Sequence, residues 1–221
     1  MNKNLLCPSI LSADFLHLQD NIDATITAGC DWLHFDVMDG HFVPSISYGM
    51  PILKQINAYS DIFLDVHLMI TEPEKYIGEF VRLGADLISI HYETVRNVRN
   101  VLHQITGEGA KAGLAINPET PVEDVLEFIP DVDVLLIMTV RPGFGGQKYI
   151  ESCTDKIKKA AEYIKEHNLK TKIEIDGGVT FDNLLKILDA GANVIVAGSA
   201  VFSGDIEANT KKLLEIIKGK E

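Results

Sequence analysis

The chain has 221 residues, 46% hydrophobic and 24% charged, with no biased or proline-rich tract, which is the composition of an ordinary globular protein and excludes a fibrous or disordered one. Its formal net charge of −12 repels nucleic acid and anionic membrane surfaces, so neither is expected as a partner. No apolar stretch approaches a membrane span, and the Met1-Asn2-Lys3-Asn4 start leads into an apolar run that stops at Pro8, too short for an export signal; a cytoplasmic protein is expected.

The first predicted strand covers 5–10. A helix-like segment then ends at Ala28-Gly29, where glycine can take the left-handed conformation that closes a helix. The second strand, 32–36, runs into His34-Phe35-Asp36-Val37-Met38-Asp39-Gly40, and the strand period of two sends His34, Asp36 and Met38 to one side. The third, 62–67, ends Asp65-Val66-His67-Leu68-Met69 and places Asp65, His67 and Met69 together in the same way. Tyr76, Ile77 and Phe80 share a helical face before Leu83-Gly84-Ala85-Asp86 opens the fourth strand, 87–91. Gly109-Ala110-Lys111 precedes the fifth, 112–116, and the sixth, 134–138, ends on Met138. A glycine-rich loop, Pro142-Gly143-Phe144-Gly145-Gly146-Gln147, leads to the apolar helical face of Ile157, Ala160, Ala161 and Ile164. The seventh strand, 172–176, ends Glu174-Ile175-Asp176-Gly177-Gly178; Phe181, Leu184, Leu185 and Leu188 form another face. Ala190-Gly191-Ala192-Asn193 then opens the eighth strand, 194–197, followed by Gly198-Ser199.

Near-continuous apolar runs are what parallel strands covered on both faces require. Eight of them alternating with amphipathic helices predict an α/β protein, a single (βα)₈ TIM barrel occupying 1–221 as one domain. In that architecture the C-terminal strand ends and the loops after them build the active site. Cys7, Cys30 and Cys153 show no CxxC spacing and read as reduced, buried thiols.

Ionisable groups in apolar central strands are costly to bury without a partner. His34, Asp36, His67 and Asp176 form a nitrogen and oxygen set suited to one divalent ion, Zn²⁺, Fe²⁺, Mn²⁺ or Co²⁺; the alternative is that they satisfy one another by hydrogen bonds. The loops holding Gly143, Gly145 and Gly146, Gly177 and Gly178, and Gly198 and Ser199 either bring backbone N–H groups close to phosphate oxygens or simply permit tight turns. Met38, Met69 and Met138 are either core filler or an apolar floor beside a reacting carbon. His91 reads as a partner to a metal ligand or as a hydrogen-bonded core residue, while His17, His103 and His167 read as surface or helix residues.

At these segments, together with Pro8-Ser9-Ile10-Leu11-Ser12-Ala13-Asp14 and Phe42-Val43-Pro44, the sequence resembles the ribulose-phosphate 3-epimerase family of phosphate-binding barrels along nearly its whole length. The resemblance implies that His34, Asp36, His67 and Asp176 bind the metal and that Asp36 and Asp176 exchange protons with substrate. It further implies that Ser9, His67, Met38, Met69 and Met138 touch a ketose phosphate, that the glycine loops, Phe144 included, hold its phosphate, and that the protein is a homo-oligomer. The implied reaction inverts C3 through an enediolate, interconverting D-ribulose 5-phosphate and D-xylulose 5-phosphate. The stretches His91-Tyr92-Glu93-Thr94, Asn117-Pro118-Glu119-Thr120-Pro121-Val122-Glu123 and Met138-Thr139-Val140 also resemble the allulose-6-phosphate 3-epimerase branch. Arg141 departs from the family pattern and is either a phosphate or lid contact or an exposed loop residue. A decarboxylase or aldol lyase on the same scaffold would want a lysine near the end of strand two or three, where none stands. A non-catalytic phosphosugar-binding protein is the alternative from another class.

Overall fold

Eight strands, each rich in branched apolar side chains, wrap into a ring of parallel neighbours in a computed structural model that describes residues 4–220. They are β1 (Leu5–Pro8), β2 (Trp32–Met38), β3 (Phe63–Met69), β4 (Leu87–His91), β5 (Lys111–Ile116), β6 (Val134–Met138), β7 (Lys172–Asp176) and β8 (Val194–Ala197). The hydrogen-bonded order is β1-β8-β7-β6-β5-β4-β3-β2. A parallel bridge between Ser9 and His34 completes the ring from β1 to β2. Residues 1–3, most of the polar start weighed above as an export signal, lie outside the described residues, as does Glu221.

The helices are α1 (Leu18–Ala28), α2 (Met50–Tyr59), α3 (Ile77–Arg82), α4 (Val98–Glu108), α5 (Cys153–Glu166), α6 (Leu184–Asp189), α7 (Ser199–Phe202) and α8 (Ile206–Lys218). Between β5 and β6 the connection is a 3₁₀ segment, Val122–Asp131, with Pro130 inside it. Proline lacks the N–H that an α-helical turn needs. The expected junction glycines Gly29, Gly84, Gly109 and Gly191 all have positive φ, between 102° and 113°, so each reverses the chain from helix toward the next strand.

Alternation along each strand separates two cores. Leu33, Phe35, Val37, Leu64, Val66, Leu68, Ile88 and Ile90 turn outward into the large apolar layer beneath the helices. Inside the ring, Cys7, Val194 and Val196 form one small cluster and Ala115, Leu136, Met138 and Val140 another. Register carries the polar residues to a common height: His34 lies opposite Asp65, Asp36 opposite His67, Met38 opposite Met69, and Met138 opposite Asp176.

Several boundaries differ from the sequence-based expectation. β1 stops at Pro8, short of residue 10, because Ile10–Ser12 wind into a 3₁₀ turn. β2 and β3 run on to Met38 and Met69, since their pairing persists to that level. The three cysteines are free and buried. Among the described residues no helix is long and apolar enough to cross a membrane.

Candidate active site

The C-terminal end of the ring opens into a recess. Its lining includes Ser9, Asp36, Met38, Met69, Met138, Asp176 and the loop residues Gly143, Phe144, Gly145, Gly146, Gly177, Gly178, Gly198 and Ser199. Thus the strand ends and the three glycine loops named from sequence converge on one space. His34 and His67 are not in its lining; both lie fully buried just below. Phe144 is 59% exposed at the rim. Arg141 is exposed and pairs through Nε with Glu119 Oε1 at 2.8 Å, so its partner here is a neighbouring loop.

One ligand atom from each of His34, Asp36, His67 and Asp176 lies within 4.8 Å of the other three. Asp36 Oδ1 sits 3.2 Å from His34 Nε2 and 3.0 Å from His67 Nδ1, and His67 Nδ1 is 3.9 Å from Asp176 Oδ2. Ser9 Oγ donates to the other Asp36 oxygen at 2.6 Å, across the closing seam of the barrel. Buried His34 Nε2 has no hydrogen-bond partner. An orphan imidazole nitrogen facing two carboxylates is the arrangement a divalent cation would satisfy, and two carboxylates with two neutral imidazoles balance its charge. The residues therefore fit the group.

The two aspartates have opposed acidities. Burial raises Asp36, but the charge on His34 and the two imidazoles beside the carboxyl outweigh it and hold it below the usual range. Burial and the Asp36 charge push Asp176 up to about 7. Neighbouring carboxyls separated in this way suit one base and one acid. Burial opposes a charge on His34, yet Asp36 and Asp65 together raise its pKa well above the ordinary value; burial lowers that of His67.

Beneath this group His34 Nδ1 lies 2.7 Å from Asp65 Oδ2 and 3.2 Å from Glu174 Oε1. Burial and the Asp65 charge push Glu174 well above the carboxylate range, which favours a protonated side chain there. On the other side, burial brings His91 down to about 4. Burial alone would raise Glu93, but His91, Thr120 and Asn117 hold it at about 2.

Sequence reasoning did not assign several residues that shape the site. Asp39 accepts from the backbone of His41, Phe42 and Thr71, at 2.7–2.9 Å, and so fixes the turn after β2 against the end of β3. Ser47 Oγ donates to Asp36 O at 2.7 Å and accepts from Met38 N at 3.0 Å. Ser12 also lines the recess, and a Cβ at Gly198 would overlap its hydroxyl. A Cβ at Gly178, where φ is 71°, would overlap the Tyr149 backbone nitrogen. Only an acidic residue directly after strand two hinted at Asp39 in the sequence; Ser12 and Ser47 carried no signal, since serine is common in turns.

A family model described as the ribulose-phosphate 3 epimerase family matches residues 5–202. The chain is 43% identical over 217 residues to ribulose-phosphate 3-epimerase of Bacillus subtilis, covering 98% of this chain and 99% of the relative. To the enzyme of the same name from Synechocystis it is 49% identical over 207 residues, covering 92% and 90%. Among solved structures, KGPDC from Streptococcus mutans superposes with a TM-score of 0.69 at 12% identity, covering 99% of each chain; at that identity the likeness speaks for the barrel alone.

Proposed function

Because the chain belongs to the ribulose-phosphate 3-epimerase family, and is thus an epimerase interconverting D-ribulose 5-phosphate and D-xylulose 5-phosphate, we propose that Asp36 and Asp176 are its two acid–base groups and that both also hold a divalent ion with His34 and His67. The observation that carries this reading is the convergence of the four side chains, from β2, β3 and β7, at the floor of the recess.

Inverting a carbon beside a ketone requires a proton to leave one face and another to arrive at the opposite face, which one base cannot readily do. Asp36 stands on β2 and Asp176 on β7, on either side of the paired strands β1 and β8. One of the two removes the C3 proton while the other, on the opposite side, supplies its replacement; the reverse reaction exchanges the roles. Ser9, donating to Asp36 Oδ2, keeps the carboxylate aimed. A divalent ion, Zn²⁺, Fe²⁺, Mn²⁺ or Co²⁺, held by His34, Asp36, His67 and Asp176 would supply positive charge to offset the negative charge that develops when the C3 proton leaves. Met38, Met69 and Met138 form an apolar wall that keeps water from the carbanionic carbon. Among the described residues no lysine or arginine lines the recess, so the phosphate is assigned to backbone N–H groups of the loops at Gly143–Gly146, Gly177–Gly178 and Gly198–Ser199. A homo-oligomer in a reducing cytoplasmic setting belongs to the same reading, supported by family membership and by free, buried thiols.

The test compares kcat/KM for ribulose 5-phosphate and allulose 6-phosphate on protein of measured metal content. A clear pentulose preference and activity proportional to bound metal are expected. Equal or greater efficiency with the hexulose would overturn the substrate assignment, and full activity after chelation would overturn the metal assignment.

A further inference from the structure

Two residues outside the ligand set form a continuous line into it, from Glu93, whose side chain is 21% exposed, through fully buried His91. Glu93 Oε1 accepts from the Asn117 backbone N–H at 2.8 Å and from the Thr120 hydroxyl, which fixes the carboxylate's direction. Its Oε2 lies 3.1 Å from His91 Nδ1. His91 Nε2 then faces His67 Nε2 at 2.9 Å, while His67 Nδ1 points the opposite way, 3.0 Å from Asp36 Oδ1. Both rings are fully buried. The Phe42 ring lies over His91, centroids 4.7 Å apart, and Lys156 Nζ braces the loop beyond by donating to Asn117 O and Pro118 O at 2.8 and 2.7 Å.

With His67 Nδ1 and Asp36 both serving as ligands, the hydrogen-bond roles along this line take one consistent direction. An ionised carboxylate only accepts, so the proton of His91 belongs on Nδ1, and its Nε2 is left with a lone pair. The nitrogen facing that lone pair must donate, which puts the His67 proton on Nε2 and its own lone pair on Nδ1. The opposite order would set the His91 Nδ1 lone pair against the Glu93 carboxylate and turn a His67 Nδ1 proton toward Asp36 Oδ1, 3.0 Å away, where the ligand lone pair is needed. We infer that Glu93 and His91 are positioning residues that set the tautomer of His67, so that it offers Nδ1, and not Nε2, to the ion. The inference rests on the assignment of His67 as a ligand. His34 is oriented more simply, by Asp65 Oδ2 directly on its Nδ1, leaving Nε2 for the same ion; the two histidines thus present different ring nitrogens because their supports approach from different sides.

Glu93→Gln reverses the line without removing a side chain. The Asn117 N–H demands an acceptor and takes the amide oxygen, which turns the amide NH₂ toward His91 Nδ1 and flips both imidazoles. Long-range ¹⁵N–¹H spectra of the Zn²⁺-loaded protein read the His67 and His91 tautomers, chelator competition reads Zn²⁺ affinity, and thermal unfolding reports folding. The loaded wild type should show Nε2–H at His67 and Nδ1–H at His91. Folded Glu93→Gln should bind Zn²⁺ about tenfold or more weakly, the scale on which supports of metal-binding histidines act. A His91 Nε2–H signal in the loaded wild type overturns the inference without any variant, as does a folded variant with unchanged affinity. Wild-type protein with no affinity for metal would instead overturn the ligand assignment beneath it.

Discussion

Asp36 and Asp176 stand on strands separated by β1 and β8 and keep different company, and that difference makes them testable one at a time. Replacing either with asparagine preserves shape and removes a proton carrier, so turnover should fall by roughly 10²-fold or more, measured on protein that still unfolds cooperatively. Residual activity within a few-fold of wild type would remove that residue from the two-base scheme. Asp176 also carries a stability signature. Its folded pKa of about 7 exceeds the ordinary aspartate value of 3.8, so between these limits the folded state keeps a proton that the unfolded chain has lost. Stability of the metal-free protein therefore falls, through this group, as pH rises across that window. Asp176→Asn should relieve the cost, raising the stability of metal-free protein at pH 8 by up to about 4 kcal/mol, the upper limit because 17% of the side-chain surface stays open to the recess. The gain should vanish near pH 4. Added Zn²⁺ should raise Tm far more in wild type than in the variant, and denaturation curves at the two pH values check the sign.

Elements place these side chains through register and turn shape. The loop after β7 passes so close to the segment leading into α5 that Gly178, with φ of 71°, has its α-hydrogen side against the Tyr149 backbone. Gly178→Ala must both hold an unfavourable φ and displace main chain, so a loss on the order of 1–3 kcal/mol is expected, together with a higher KM for phosphorylated substrate because the loop's N–H groups shift. An unchanged Tm and KM would mean that the loop yields freely. The glycines closing helices before β2, β4, β5 and β8 were visible as a repeated junction because one residue type serves one backbone need. The 3₁₀ turn after β1 was not, since Ile10 and Leu11 are again apolar just beyond Pro8-Ser9 and periodicity cannot tell a strand from a short turn over so few residues.

At the scale of the whole molecule the net charge of −12 meets a substrate that is itself an anion, and among the described residues no cationic side chain lines the recess to offset it. Screening should therefore help encounter. As ionic strength rises from about 10 to about 100 mM the Debye length shortens from about 30 to about 10 Å, and kcat/KM at subsaturating substrate should increase. A decrease would reveal a positive field at the recess mouth strong enough to steer an anion.

The sequence of strands, the end at which the recess opens, and the candidates His34, Asp36, His67 and Asp176, which the fold brings together, were legible in the chain, because strand alternation and helix-closing glycines act over a few neighbouring residues. Convergence of the three glycine loops followed from the barrel rule once eight strands were counted. What the sequence left open needed contacts between residues far apart along it. His91 was ambiguous until it was seen between Glu93 and His67; Arg141 had two readings until Glu119 stood beside it; the split between Asp36 and Asp176 depends on which buried charges surround each. Hydrogen-bond direction and burial are properties of a packed neighbourhood, and only the closed ring brings β2, β3, β4 and β7 near enough to create one.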